Sequence, residues 1–168
     1  MNIELQLKVQ DLNARYVQAI DDDKLEAWPD FFTEHGRYRV TTAENVERSL
    51  PLGLIYATSR AMLRDRVRSL RDANVYEAQR YRHLIGAPLI EPPPPYPSPA
   101  SGGGKGGGVH AQTSFMVARI MHTGETMLFA TGRYHDRIVL DSGNEARFAE
   151  RIVILDSRLI DTLLAIPL

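Results

Sequence analysis

The sequence contains no cysteine. That absence excludes disulfides, thiolate nucleophiles, zinc-thiolate sites and every iron-sulfur cluster that is held by cysteine. The sequence also has no apolar run near the roughly 18 residues of a membrane span, and its N-terminus lacks the pattern of an export signal. We therefore expect a cytoplasmic protein without a membrane partner. A formal net charge of −1 gives no field for binding nucleic acid.

What is present is an ordinary globular composition of 43% hydrophobic and 24% charged residues over 168 positions. This length predicts a single domain over residues 1–168, with a sizeable core. Apolar residues recur at three- and four-residue intervals from Leu5 to Ile20 and predict an amphipathic helix. Ser59 is placed to cap a later helix. The buried stripe of that helix is predicted to be Leu63, Val67 and Leu70.

Two shorter segments lie between these helices. Asp23 followed by Glu26 fits a capping box, which predicts a second helix from Lys24 to about Phe32. The alternation of residues 37–42 predicts a half-buried strand.

The second half of the chain carries mostly strand signals. The stretches 80–90, 110–123, 125–140 and 146–157 alternate in polarity and are bounded by turn-like sequences. Residues 91–108 contain six prolines followed by six glycines, so we predict a flexible Pro/Gly-rich loop outside the core. Helices followed by a meander of antiparallel strands predict an α+β domain in which a strongly curved sheet wraps over the helices.

Ligand-binding motifs are weak. GGGKGGG lacks P-loop spacing, because Lys105 is followed by glycine and then by a predicted strand instead of a helix. The histidines show no metal-ligand spacing, so we favour structural or surface roles for them over a metal site. They are His35, His83, His110, His122 and His135.

A cone-shaped α+β domain could pair an aspartate with a histidine or a tyrosine for proton transfer. No spacing singles out such a pair, so the residues alone define no reaction. The available side chains are Tyr16, Asp21, Tyr38, His83, Tyr134 and Asp136.

The third predicted helix is locally very basic. A solvated face, a protein interface and a nucleic-acid face all fit such a cluster, since arginine pairs readily with carboxylates and phosphates. Asp65 and Asp72 interrupt the run and count against nucleic acid. The arginines are Arg60, Arg64, Arg66, Arg68 and Arg71.

Four separated blocks, in order, resemble the small (beta) subunit of aromatic-ring-hydroxylating dioxygenases. They are AWPDFFTEHGRYRVT, RVRSLRDANVYEAQRYRHLIGAP, FMVARIMHTGETMLFATGRYHDRI and ARFAERIVILDSRLIDTLLAIPL. The resemblance runs from about residue 8 to the C-terminus and omits the Pro/Gly loop. Within the family, HTGET and DTLLAIPL are most similar to the branch that acts on carboxylated aromatics, terephthalate foremost, with salicylate- and anthranilate-type enzymes as neighbours.

This resemblance implies an NTF2-like (SnoaL-like) cone and a structural subunit without catalytic residues. It implies assembly with a large (alpha) oxygenase subunit as an α3β3 hexamer, in which this chain also associates with itself as a trimer. It further implies that the Rieske 2Fe-2S cluster and the mononuclear non-heme iron belong to the large subunit, and that this chain holds no cofactor or metal. A reductase would supply electrons from NADH.

The resemblance assigns no catalytic residue that can be carried over. We hypothesise that the matching segment RYRH contributes to subunit contacts through Arg80, Arg82 and His83, together with Arg64 and Arg68 of the basic helix. The alternative function is a free-standing NTF2-like dehydratase or isomerase, or a small-ligand binding module on the same fold.

Overall fold

The computed structural model of the protein describes residues 3–73, 77–91, 108–159, 164 and 166–168. The helices are α1 (Ile3–Asp21), a 3₁₀ helix (Leu25–Phe31), α2 (Ala43–Glu47) and α3 (Arg60–Asp72). The strands are β1 (Phe32–Thr42), β2 (Ile55–Ala57), β3 (Gln79–Ile85), β4 (Leu89–Glu91), β5 (Val109–Met121), β6 (Thr126–Leu140) and β7 (Ala146–Leu155).

The predicted loop at 91–108 falls almost entirely on residues 92–107, which lie outside the described residues. Its two flanks are described. Glu91 ends β4 and pairs with His110 near the start of β5. The ends of this segment therefore lie side by side at one edge of the sheet.

Both long helices follow their predicted apolar stripes. The buried face of α1 includes Val9, Leu12 and Tyr16. At the start of α3 the Ser59 hydroxyl accepts a hydrogen bond from the Met62 backbone N–H at 3.3 Å, as the capping signal predicts. The predicted stripe of α3 is also buried, so periodicity located both helices correctly.

The predicted capping box is wrong. Asp23 has a positive φ of 56°, and the short 3₁₀ helix that follows has no side-chain cap. The Asp23 carboxylate instead accepts a hydrogen bond from Nη1 of Arg71 at 2.9 Å. A guanidinium forms a stronger, charge-assisted bond than a neutral backbone N–H, so the tertiary contact wins over the local one.

Within the described residues, seven strands form one sheet in the order β2-β1-β7-β6-β5-β3, and β4 also pairs with β5. The predicted meander is present in β5, β6 and β7, which are successive antiparallel neighbours. The strand β1 departs from it, because it lies parallel to β7. It is also longer than the predicted 37–42. The three-residue strand β2 and five-residue helix α2 were not predicted, since segments this short show no periodicity.

The sheet curves around the helices and encloses an aromatic core. Trp28, Phe32 and Tyr38 are fully buried and meet edge to face, with ring centroids 5.1 to 6.0 Å apart. Gly132 lets β6 and β7 approach closely, since a Cβ at that position would lie 2.2 Å from the Ile154 carbonyl oxygen. The predicted α+β cone is confirmed.

Candidate functional site

A charged pair lies in the interior of the cone. Arg151 on β7 and Asp136 on β6 are direct neighbours across the two strands. The Arg151 guanidinium donates to both oxygens of the Asp136 carboxylate, with N···O distances of 2.9 and 2.8 Å, and both side chains are 0% exposed. Arg151 also donates to the side-chain oxygen of Asn13, which in turn donates to Thr113 at 3.0 Å. This network joins α1 to three strands.

Aromatic rings surround the guanidinium. Its central carbon lies 4.1 Å from the ring centroid of Tyr16, 4.0 Å from that of Tyr134 and 3.9 Å from that of Phe148. Each ring face attracts the cation, and such contacts are stronger when water is excluded. Side chains therefore fill the interior around Arg151.

Burial shifts the pKa values of Arg151 and Asp136 in opposite directions. Burial alone would lower the pKa of Arg151, but the neighbouring Asp136 carboxylate outweighs it and the pKa lies above its ordinary value. Burial raises the pKa of Asp136, and the positive charge of Arg151 opposes that rise. The bidentate geometry favours the charged pair at neutral pH.

The interior contains four of the six predicted proton-transfer candidates, namely Tyr16, Tyr38, Tyr134 and Asp136. Burial raises the pKa of each of the three tyrosines, well above its usual range for Tyr38 and Tyr134. Their hydroxyls thus stay protonated at neutral pH. Sequence reasoning missed Arg151, although its parity with Val153 and Leu155 places it on the buried face of β7.

The other two candidates, Asp21 and His83, form a separate pair. Nδ1 of His83 lies 2.6 Å from the Asp21 carboxylate, and the backbone N–H of His83 donates to the same carboxylate at 2.9 Å. The two side chains are 0% and 3% exposed. A general base must reach its substrate, and this sealed dyad pins the end of α1 to β3 instead.

The basic face of α3 is largely paired within the chain. Arg71 contacts Asp23 and Glu26, and Arg64 lies 3.2 Å from Asp30. These contacts hold α3 against the segment that contains the 3₁₀ helix. Arg68 is exposed, and it forms no ion pair with any residue that the structure describes.

The hypothesised contact residues of β3 are divided between its two faces. Arg80, Arg82 and Leu84 are exposed, whereas His83 is buried on the opposite face of the strand. Leu84 is 55% exposed and lies opposite Met116 of β5, which is 42% exposed. Arg82 is also exposed and lies 3.7 Å from Asp21. We call the four residues Arg80, Arg82, Leu84 and Met116 the outer β3 surface.

The described part of the chain contains neither a metal-binding cluster nor a membrane-spanning helix. No group of three or more His, Cys, Asp or Glu side chains there could hold a metal ion. No helix in those segments is long and apolar enough to cross a membrane.

Known proteins are similar to this chain in sequence and in fold. The family model of the SnoaL-like domain matches residues 1–151. The chain is 42% identical to the terminal oxygenase component subunit beta 1 of terephthalate 1,2-dioxygenase from Comamonas sp. The match extends over 163 residues and covers 97% of this chain and 98% of that one. It is 34% identical over 157 residues to the small subunit of anthranilate 1,2-dioxygenase from Burkholderia cepacia, covering 94% of this chain and 90% of that one.

A solved structure agrees with these matches. It is described as the beta subunit of an aromatic-ring-hydroxylating dioxygenase from Novosphingobium aromaticivorans, and it is 38% identical with a TM-score of 0.81 over 98% of this chain and 97% of that one. The fold and the buried interior define an α+β cone of the SnoaL-like class. Within that class, the chain belongs to the beta subunits of aromatic-ring-hydroxylating dioxygenases.

Proposed function

We propose that this chain is the structural beta subunit of a terminal oxygenase that hydroxylates an aromatic carboxylic acid, with terephthalate as the first candidate. The observation that carries this proposal is the 42% identity, over nearly the whole length of both chains, with a terephthalate 1,2-dioxygenase subunit. The interior supports a structural role, because Arg151 and its three aromatic neighbours occupy the centre of the cone.

In this proposal, a large oxygenase subunit carries the Rieske 2Fe-2S cluster and the mononuclear iron, and three copies of each chain form an α3β3 hexamer in the cytoplasm. The beta chains associate as a trimer within it, and each is one domain over residues 1–168. Cysteine ligates Rieske clusters in part, and this sequence has none. The chain therefore contributes shape and contacts rather than redox chemistry.

The experiment is co-expression of this chain with the large subunit of its own organism. We expect a complex of the mass of six chains, iron in that complex, and oxygen-dependent dihydroxylation of terephthalate when a reductase and NADH are added. Stoichiometric iron on this chain purified alone, or turnover without the large subunit, would contradict the proposal.

The outer β3 surface is the proposed place of contact with another subunit. It combines two exposed arginines with two exposed apolar side chains, and interfaces favour both arginine and methionine. We expect Arg80→Ala with Arg82→Ala to reduce the hexamer fraction on size-exclusion chromatography. The matched control is Arg48→Ala, since Arg48 is an exposed arginine paired with Glu44 on α2. Equal hexamer fractions for both variants would remove this surface from the proposal.

The other hypothesised contact residues are His83 on β3 and Arg64 and Arg68 on α3. His83 is bonded to Asp21 inside the chain, so His83→Ala should act on assembly by loosening β3, with a lower melting temperature. Arg64 and Arg68 lie on α3, and only Arg64 has a partner among the described residues. A lower hexamer fraction for Arg68→Ala at an unchanged melting temperature would extend the interface to α3.

A further inference from the structure

The last residue of the sequence, Leu168, lies fully buried inside the cone. Its backbone oxygen accepts hydrogen bonds from two tyrosine hydroxyls, Tyr16 at 2.8 Å and Tyr38 at 3.1 Å. Its backbone N–H donates to the hydroxyl of Tyr38 at 3.1 Å. The two tyrosines thus bind both polar backbone groups of one residue.

The hydrogen-bonding groups are preorganised. Tyr16 lies on α1 and Tyr38 on β1, and both rings are held in the aromatic core, Tyr16 edge to face with Phe148 and Tyr38 edge to face with Trp28. Rigid donors with little rotational freedom bind an acceptor at low entropic cost. Both tyrosines are buried, so removing the acceptor would leave each hydroxyl without a hydrogen bond and without water, at a cost in stability.

The leucine side chain is also accommodated closely. A cavity of about 30 Å³ beside Leu168 is lined by Phe129, Ala130 and Leu155 among others. Leu168 itself lines this cavity, so the gap lies beside its side chain, which belongs to the buried apolar core. The isobutyl group of Leu168 is thus buried among apolar side chains.

We infer that the cone contains a binding site for an N-acylated leucine residue, in which the hydroxyls of Tyr16 and Tyr38 bind the backbone and the apolar core takes the isobutyl group. In the 168-residue chain Leu168 occupies this site as an intramolecular ligand. It thereby ties residues 166–168 to α1 and β1. A free N-acyl amino acid with a branched aliphatic side chain fits the same site when Leu168 is absent.

The test uses a chain that ends at Ile166 and the probe N-acetyl-L-leucine, whose acetyl carbonyl replaces that of Pro167. The shortened chain should melt lower than the full chain. The probe should raise that melting temperature saturably, by about 2–4 °C at several times its dissociation constant. The full chain should show no shift, and N-acetylglycine should shift neither chain.

Three results would overturn the inference: an unchanged melting temperature on shortening, no response of the folded shortened chain to the probe, or an equal response of the full chain. If the shortened chain stays unfolded with the probe, Tyr38→Phe in the full chain decides. Tyr38→Phe should lower the melting temperature clearly more than Tyr56→Phe, because Tyr56 is exposed. Equal melting temperatures for these two variants would equally exclude the site.

Discussion

Arg151 and Asp136 face each other across β7 and β6, and their side chains meet through two N–H···O bonds where no solvent reaches. Removing one partner leaves the other charge buried without compensation. We expect Arg151→Ala to lower the free energy of unfolding by about 3–5 kcal/mol. Urea denaturation measures the loss.

Two controls make this prediction specific. Arg15→Ala breaks an exposed pair with Asp11 and should cost less than about 1 kcal/mol. The double variant Arg151→Met with Asp136→Leu should cost less than the sum of its single variants, since no unpaired charge remains. A loss for Arg151→Ala no larger than that for Arg15→Ala would contradict the burial of the pair.

Gly132 permits the close approach of β6 to β7. An added Cβ would lie 2.2 Å from the Ile154 carbonyl oxygen, and that backbone cannot move without disturbing the sheet. We expect Gly132→Ala to destabilise the protein by roughly 1–3 kcal/mol in thermal or chemical unfolding. Gly86→Ala is the matched control, because its nearest neighbour would lie 3.6 Å away. Equal stability of the two variants would show that the strands can separate at Gly132.

The sequence predicts elements with a regular buried stripe and fails for contacts between distant segments. Periodicity predicted α1, α3 and the three long C-terminal strands, because each buries a regular stripe of its own residues. The parallel pairing of β1 with β7 was not predictable, since it depends on segments at opposite ends of the sequence. Asp23 shows the same limit, because its preferred partner, Arg71, is distant in sequence.

The candidate site was predictable only in part. Four of the proposed acid-base residues do lie inside the cone. Three of them, Tyr16, Tyr134 and Asp136, contact Arg151, which the sequence reasoning did not single out. An arginine at an inward-facing position of a predicted strand is the pattern that could have identified Arg151 as a buried charge. The resemblance of four sequence blocks supplied the family, and the comparisons confirm it.

The buried tyrosines predict an alkaline transition. Burial raises the pKa of Tyr16, Tyr38 and Tyr134 above the ordinary value of 10.0 in the folded chain. Above about pH 10 the unfolded chain releases these protons while the folded chain retains them, so the free energy of unfolding falls as pH rises. Tyrosinate absorbance from these residues should appear only together with loss of circular dichroism. Full ionisation of all seven tyrosines with an intact signal would contradict their burial.

Glu26 predicts an acid limb. The hydrogen bond from Arg71 lowers the pKa of this carboxyl below its ordinary 4.5. Its contribution to stability is present above pH 4.5 and is lost as pH falls through the lower, folded-state value. Glu26→Gln should flatten this part of the pH profile of unfolding, with an effect under about 1 kcal/mol because the pair is largely exposed. An unchanged slope would show that Arg71 prefers Asp23 alone.

The parallel contact of β1 with β7 also has a consequence for how the protein is made. The strands β5, β6 and β7 can pair as hairpins soon after each is synthesised, whereas β1 waits for a partner encoded near the other end of the chain. Such nonlocal pairings fold slowly, because a long loop must close before any contact forms. The nascent chain therefore emerges from the ribosome with β1 lacking its β7 neighbour, and the centre of the sheet closes only after β7 has been synthesised.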